Sequence, residues 1–343
     1  MRFQFITFVA LLWLVGPANG VSLDAGAINN AQWQSDKVQK DGISPLLIKT
    51  QALLDRARFS PGEIDGRLGD NFRKALAAFA AEHGLQTMGD LNEQVWQALV
   101  SASPQPVLKE YTISEDDVKG PFAKIIPENM EAMKDLPALA YTSPREKIAE
   151  DFHMSEELLA ALNDGRKFDK AGEVIIVANV ATDVLPNKVA RIEVDKSAQT
   201  LRAFDRKQRL LAFYPITAGS AEKPAPSGKL KVSGVSRNPT YRYNPAYAFK
   251  GVKAQESFTI KPGPNNPVGL VWIGLSGEGY GIHGTPAPSK VSKTESHGCI
   301  RMTNWDALQL ASAVAKGTPV TFIGDERSQP STTKRKAKGS KHR

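Results

Sequence analysis

Between residues 43 and 102 the apolar positions recur every three or four residues, in three short runs. Leu47 and Leu54 share one face with Gln51 between them, Phe72, Leu76 and Phe79 mark a second run, and Val95, Trp96 and Leu99 a third. This spacing predicts amphipathic helices. Their ends are marked by local chemistry. Ser44 followed by Pro45 reads as a cap with proline at the first helical position. Asp70 reads as the cap of the second helix, Gly84 after His83 as its stop, and Asn92 as the opening of the third. The segment PGEIDGRLG (61–69) is the turn between the first two.

Helical spacing returns further on. Ile148, Phe152 and His153 fit one helix, with His153 in a structural role, and Ser155 caps another that holds Leu158, Leu159 and Leu162. GEVIIV (172–177) is β-rich, and a weak partner strand is expected near 139–141. From about residue 187 the period changes to two. VARIEV (189–194), TLRAF (200–204), RLLAFYPIT (209–217), GKLKV (228–232), VWIGL (271–275) and YGIHGT (280–285) read as short strands. Residues 236–251 read as a long loop, with 241–247 a candidate lid. Thr303 or Asn304 caps a helix expected to reach Lys316, and TPVTFI (318–323) closes the chain's last strand. The pattern predicts a multidomain α+β chain. It comprises a three-helix domain over 43–102, a helix–helix–strand module over 136–180 and a mostly β domain over 187–325.

Composition alters this picture at the two ends. A chain of 343 residues is long enough for several domains. Residues 1–20 combine a positive start, an apolar run over 5–15 and the small-residue exit Ala18-Asn19-Gly20, the three-part pattern of a signal peptide. The run is short for a membrane helix, which needs about 20 apolar residues; an uncleaved anchor is the competing reading. The expectation is an exported, periplasmic, wall-associated protein with no integral membrane association after cleavage. The formal charge is +8, but seven Lys and Arg lie in 327–343 without an acid, leaving about +1 elsewhere. Residues 326–343 are therefore a basic flexible tail, and nucleic acid is not an expected partner.

The chain has one cysteine, Cys299, so no disulfide can form within it. It sits in SHGCIRM (296–302), and the only histidines of 187–325, His283 and His297, lie within sixteen residues of it. A thiolate is the nucleophilic form of cysteine, and a nearby imidazole raises its fraction. Gly298 leaves the backbone free to approach a carbonyl, N–H groups around Gly298 and Cys299 suit an oxyanion hole, and Gly284 allows close approach beside His283. Three other readings stay open. They are a zinc site from His283, His297 and Cys299 without an evident fourth ligand, a structural cluster, and a redox cysteine without a resolving partner. Spacing does not decide which histidine is the base.

The residues His283-Gly284-Thr285 and SHGCIRM, with Pro226-Ser227-Gly228, NPVGLVWIGL (266–275) and Tyr280-Gly281-Ile282, resemble the L,D-transpeptidase catalytic domain of the YkuD type over essentially all of 187–325. Leu53-Leu54, PGEIDG (61–66), ALAAF (75–79), Gly84-Leu85 and VWQAL (95–99) resemble the type 1 peptidoglycan-binding domain. Phe152-His153-Met154-Ser155, Leu162-Asn163 and the strand after Gly172 resemble a LysM module. The first resemblance implies a β-sandwich-like catalytic domain. In it Cys299 is the nucleophile, His283 the base oriented with help from the Gly284 backbone, and His297 a residue that shapes the site. The backbone of His297, Gly298 and Cys299 would form the oxyanion hole. Ser296 and Arg301 would support the loop or the substrate, Arg301 either through an ion pair or by direct contact. The implied reaction is acyl transfer on peptidoglycan stem peptides, with no metal or cofactor. Implied partners are the stems, the glycan and, for anchoring, an envelope protein acceptor.

Overall fold

The computed structural model describes residues 23–34, 42–87, 89–181, 184–220, 223–245, 252, 254–294 and 298–324. The expected signal peptide and basic tail lie outside the described residues, as does most of the second half of the candidate lid. Among the described residues no helix is long and apolar enough to cross a membrane.

The helical region holds α1 (Ala25–Asn29), α2 (Pro45–Arg56), α3 (Asp70–Glu82) and α4 (Glu93–Ala102). Asn92 caps α4 by accepting the Val95 N–H at 3.0 Å. The expected cap at Asp70 is displaced by one residue: Gly69 holds the extended cap position, and Asp70 lies in the first turn. There its charge meets the positive end of the helix dipole. Gln51, buried on α2, stitches the Asp-Gly turn in place. Its Oε1 accepts the N–H groups of Asp65 (3.1 Å) and Gly66 (2.7 Å), and its Nε2 donates to Asp65 Oδ1 and the Arg67 carbonyl. Gly66 has φ +70°, and a Cβ there would press on Ile43 and Ile48, so only glycine closes this turn.

The next region contains β1 (Leu108–Thr112), α5 (Glu115–Val118), α6 (Met130–Met133), α7 (Pro144–Asp151), α8 (Glu156–Leu162) and β2 (Val174–Ala178). Ser155 caps α8 through the Leu158 N–H. The strand that pairs with β2 is β1, antiparallel with Leu108 opposite Ala178, and not a segment near 139–141. Leu139 instead bonds across to the catalytic region, its N–H to the Pro262 carbonyl at 2.9 Å. The unit therefore reaches back to residue 108. His153 also departs from the helix expected for it: α7 ends before it, and it adopts φ +56°.

These two regions share one hydrophobic core. It runs from Leu47, Phe79 and Trp96 through Leu159 and Ile175 and takes in Phe213 from the β-rich region. A second core lies within that region and includes Ile192, Leu201, Tyr214, Ile273, Ile282 and Phe322.

The β-rich region is built on β3 (Arg191–Asp195), β4 (Thr200–Phe204), β5 (Leu210–Pro215), β6 (Thr217–Ala218), β7 (Gly228–Arg237), β8 (Tyr241–Tyr243), β9 (Phe258–Ile260), β10 (Val271–Leu275), β11 (Gly281–His283), β12 (Ile300–Arg301) and β13 (Pro319–Ile323). Strands β8 and β9 pair with each other, so part of the expected loop is a small hairpin. The others form one nine-stranded sheet in the order β5-β4-β3-β13-β7-β10-β11-β12-β6. Its two end strands, β5 and β6, are separated in sequence by Ile216 alone. One residue spans only about 3.5 Å, so the sheet must roll until its ends meet, which gives the layered form expected. Helix α9 (Asn304–Ala311) is capped by Thr303, whose Oγ1 accepts the Asp306 N–H at 3.2 Å. It stops short of Lys316. The Ser312 hydroxyl donates to the Gln309 carbonyl (2.7 Å) and accepts the Leu185 N–H (3.1 Å), competing with further helix.

Candidate active site

Strands β11 and β12 run parallel, with Ile282 opposite Ile300 and His283 opposite Arg301. Both isoleucines are fully buried in the core of the β-rich region. Side chains alternate along a strand, so His283, Arg301 and Cys299 face the other side together. The Cys299 sulfur rests against the start of β11, donating to the Gly279 carbonyl at 3.5 Å, and the Gly281 N–H supports its thiolate form. Gly281 is required here because a Cβ would collide with the Trp272 ring. Trp272, opposite His283 on β10, stacks on the imidazole at 5.6 Å and 17°.

Nδ1 of His283 lies 2.6 Å from the Gly284 carbonyl. A carbonyl only accepts, so Nδ1 carries the proton of the neutral ring and Nε2 is the basic nitrogen. Burial pulls His283 down to about 3, the Arg301 guanidinium acts in the same direction, and the Gly284 bond opposes both. Burial pushes the Cys299 thiol up, against the Gly281 N–H and Arg301. Burial thus favours the uncharged form of each group, thiol and imidazole. Desolvation works against the enlarged thiolate fraction that the sequence suggests, while the Gly281 N–H and Arg301 work for it. Arg301 is itself pulled down by burial, and its Nε has no hydrogen-bond partner among the described residues.

Gly298 has φ +97°, and a Cβ there would sit 3.3 Å from both the Pro224 carbonyl and the Tyr280 ring. Glycine lets the chain turn sharply into Cys299. Ser296 and His297 lie outside the described residues. Among the described residues no group of three or more His, Cys, Asp or Glu could hold a metal ion.

Residues 189–322 match the L,D-transpeptidase catalytic domain, and residues 44–99 match a peptidoglycan binding domain. A protein named L,D-transpeptidase YkuD from Bacillus licheniformis is 35% identical over 180 residues, which are 52% of this chain and 92% of that relative. The chain belongs to the L,D-transpeptidase family. The relative of the same name from Bacillus subtilis is 31% identical over 177 residues, 51% of this chain and 90% of its own. A crystal structure of L,D-transpeptidase 3 from Mycobacterium tuberculosis with a faropenem-derived adduct superposes with a TM-score of 0.33 at 16% identity. It covers 45% of this chain and 75% of that one, and is too loose a fit to bear on the site. The protein is thus an L,D-transpeptidase with a helical peptidoglycan-binding domain ahead of a mostly β catalytic domain, and peptidoglycan is its partner.

Three residues of this L,D-transpeptidase site went unmarked by sequence reasoning. Trp272 lies in the strand 271–275 and in the resembling run 266–275, neither of which singles it out, although hairpin register places it opposite His283. Asn304 was read as a possible cap. Because Thr303 takes that role, the Asn304 amide is available to bind Leu270 N–H, Pro264 and Glu150. Glu150 comes from α7, and no local pattern singles it out. It also borders a cavity of about 290 Å³ lined by Glu63, Glu146, Glu156 and the loop Pro286–Ser289 that follows the His283 segment.

Proposed function

We propose that Cys299 attacks the carbonyl of the third residue of a tetrapeptide stem, releases the terminal D-Ala and passes the acyl group to an amine of a second stem, making a 3→3 cross-link. The observation that carries this reading is the Cys299 sulfur lying at one end of β11 with the neutral His283 ring at the other. At attack the Sγ–H proton goes to Nε2 of His283 as sulfur bonds the carbonyl carbon. The oxyanion of the tetrahedral intermediate would meet the backbone N–H groups of Gly298 and Cys299, with His297 and Ser296 given supporting roles by the resemblance alone. Collapse breaks the C–N bond, and D-Ala leaves with the proton from His283. The thioester then yields to the acceptor amine, whose proton His283 takes as the thiolate departs and then returns to the sulfur, restoring thiol and neutral imidazole. The imidazole, neutral at rest, offers Nε2 to the proton that the thiol gives, against the burial and the Arg301 charge that lower its affinity for it. The Arg301 charge favours the thiolate when it is expelled.

In this reading the chain is exported to the periplasm by residues 1–20. There the peptidoglycan-binding domain and the LysM-like unit hold it on its polymer. Purified protein with a tetrapeptide muropeptide, followed by mass spectrometry, is the test. A dimer that has lost one D-Ala is the expected product. Tripeptide monomer alone would make water, or an absent protein lysine, the acceptor. Unchanged muropeptide would overturn the reading and leave a wall-binding protein.

A further inference from the structure

Glu150 belongs to the helix α7 of the accessory region, yet its carboxylate is buried against the catalytic domain. Oε1 and Oε2 accept from Nδ2 of Asn304 at 3.2 and 3.0 Å, and the Tyr141 hydroxyl donates to Oε2 at 3.3 Å. Nδ2 of Asn304 also donates to the Pro264 carbonyl at 3.2 Å, and its Oδ1 accepts the Leu270 N–H at 3.1 Å. These bonds give the amide one orientation, nitrogen toward Glu150 and oxygen toward the turn before β10. The oxygen is packed against glycine backbone on two sides: a Cβ at Gly269 or at Gly284 would run into it. Gly284 supplies the carbonyl that holds Nδ1 of His283. A continuous set of contacts therefore links α7 to the imidazole, across 154 residues of sequence between Glu150 and Asn304.

We propose that Glu150 is a positioning residue for the active site, supplied by the accessory region: its carboxylate sets the Asn304 amide, and the amide sets the Gly284 backbone that orients His283. The inference rests on His283 being the base. With no acceptor at position 150, one proton of the buried Nδ2 group loses its partner, and a flipped amide would leave the Leu270 N–H without one. Either change moves the glycine backbone on which the imidazole hangs. Burial pushes the Glu150 carboxyl up to about 8. A protonated carboxyl keeps one accepting oxygen, so the orientation survives in both charge states.

The test uses the full chain with Glu150→Leu, Glu150→Asp and Glu150→Gln, each first checked for folding by thermal melting. Two rates are read: cross-link formation, as kcat and KM, and alkylation of Cys299 by iodoacetamide, which needs no substrate. In Glu150→Leu and in the shorter Glu150→Asp, kcat and the alkylation rate should both fall, on the order of tenfold to a hundredfold, with KM within about twofold. Glu150→Gln keeps an oxygen acceptor and should recover to within about threefold of the parent. If Glu150→Leu fails to fold, Glu150→Asp decides. Parent rates in both assays for the folded variants would overturn the proposal, as would a Glu150→Gln variant as impaired as Glu150→Leu. If the parent makes no cross-links while alkylation still depends on position 150, the substrate reading fails and the positioning role stands.

Discussion

Two histidines in this molecule look alike until their neighbours are counted by sign. His153 and His283 are both buried, and each stacks on a tryptophan: His153 on Trp305 at 5.2 Å and 10°, His283 on Trp272 at 5.6 Å and 17°. At Nδ1 they part. His153 meets the Asp55 carboxylate at 2.8 Å, whereas His283 meets a backbone carbonyl at 2.6 Å. Asp306 lies near the first ring and Arg301 near the second. An anion at Nδ1 makes His153 a strut between two regions of the chain. Burial and the Arg301 cation keep His283 neutral, and the carbonyl at Nδ1 opposes them while leaving Nε2 as the nitrogen without a proton. Burial and aromatic stacking therefore do not distinguish the two rings; the surrounding charge does.

The sharpest test of that contrast begins at the sulfur. Cys299→Ala should abolish muropeptide turnover while its melting temperature stays near that of the parent; residual cross-linking by the folded variant would remove the nucleophile assignment. His283→Gln should lower acylation by roughly 10²–10⁴-fold, the usual contribution of a positioned base, in single-turnover measurements. His153→Gln should do the reverse, keeping activity per folded molecule and losing about 3 kcal/mol in denaturant unfolding, because Asp55 is left buried with one partner fewer. A stable but inactive His153→Gln enzyme would break the comparison. Trp272→Leu removes the stacking surface behind His283, and kcat should fall about two- to tenfold, in line with an aromatic pair's contribution.

The smallest expected effect is on stability against pH. Burial raises Asp306 to about 7 and Glu150 to about 8, both above their values of 3.8 and 4.5 in an unfolded chain. Between about pH 6.5 and 8 the folded protein therefore holds protons that the unfolded chain has already released, so stability falls as pH rises through that window. Below it His283, lowered to about 3 from 6.5, acts in the opposite direction and stabilises with rising pH. The melting temperature should drop from pH 6.5 to 8, by on the order of 1 kcal/mol in free energy. Asp306→Asn should flatten the slope, and a rise across the window would contradict the burial of these acids.

What could be read from the sequence follows the reach of each interaction. Caps at Asn92 and Ser155 were legible because their bonds close within three residues. The meeting of the Cys299 and His283 segments was legible because adjacent strands bring near neighbours in sequence together. Strand β1 was not, since of its five residues only Leu108 is buried and the alternation never shows. The bond from His153 to Asp55 spans 98 residues and that from Asn304 to Glu150 spans 154, beyond any local pattern. Desolvation at the site was not legible for a related reason: it belongs to the folded surroundings and not to the motif.

The border between the accessory and catalytic regions is sealed by main chain as well as side chain. The Phe213 N–H bonds the Arg58 carbonyl and the Ser60 N–H bonds the Phe213 carbonyl, both at 2.9 Å, while the Ser60 hydroxyl donates to Asp306 at 2.9 Å. Phe213 meanwhile fills the accessory core. Such a joint ties the two regions at several points at once. Whatever the accessory region grasps, the thiol stands at one set offset from it, as one jaw of a caliper stands from the other. Spacing along the polymer would then be gauged by the protein's own build, where a tethered enzyme would sweep a volume and join stems anywhere within it.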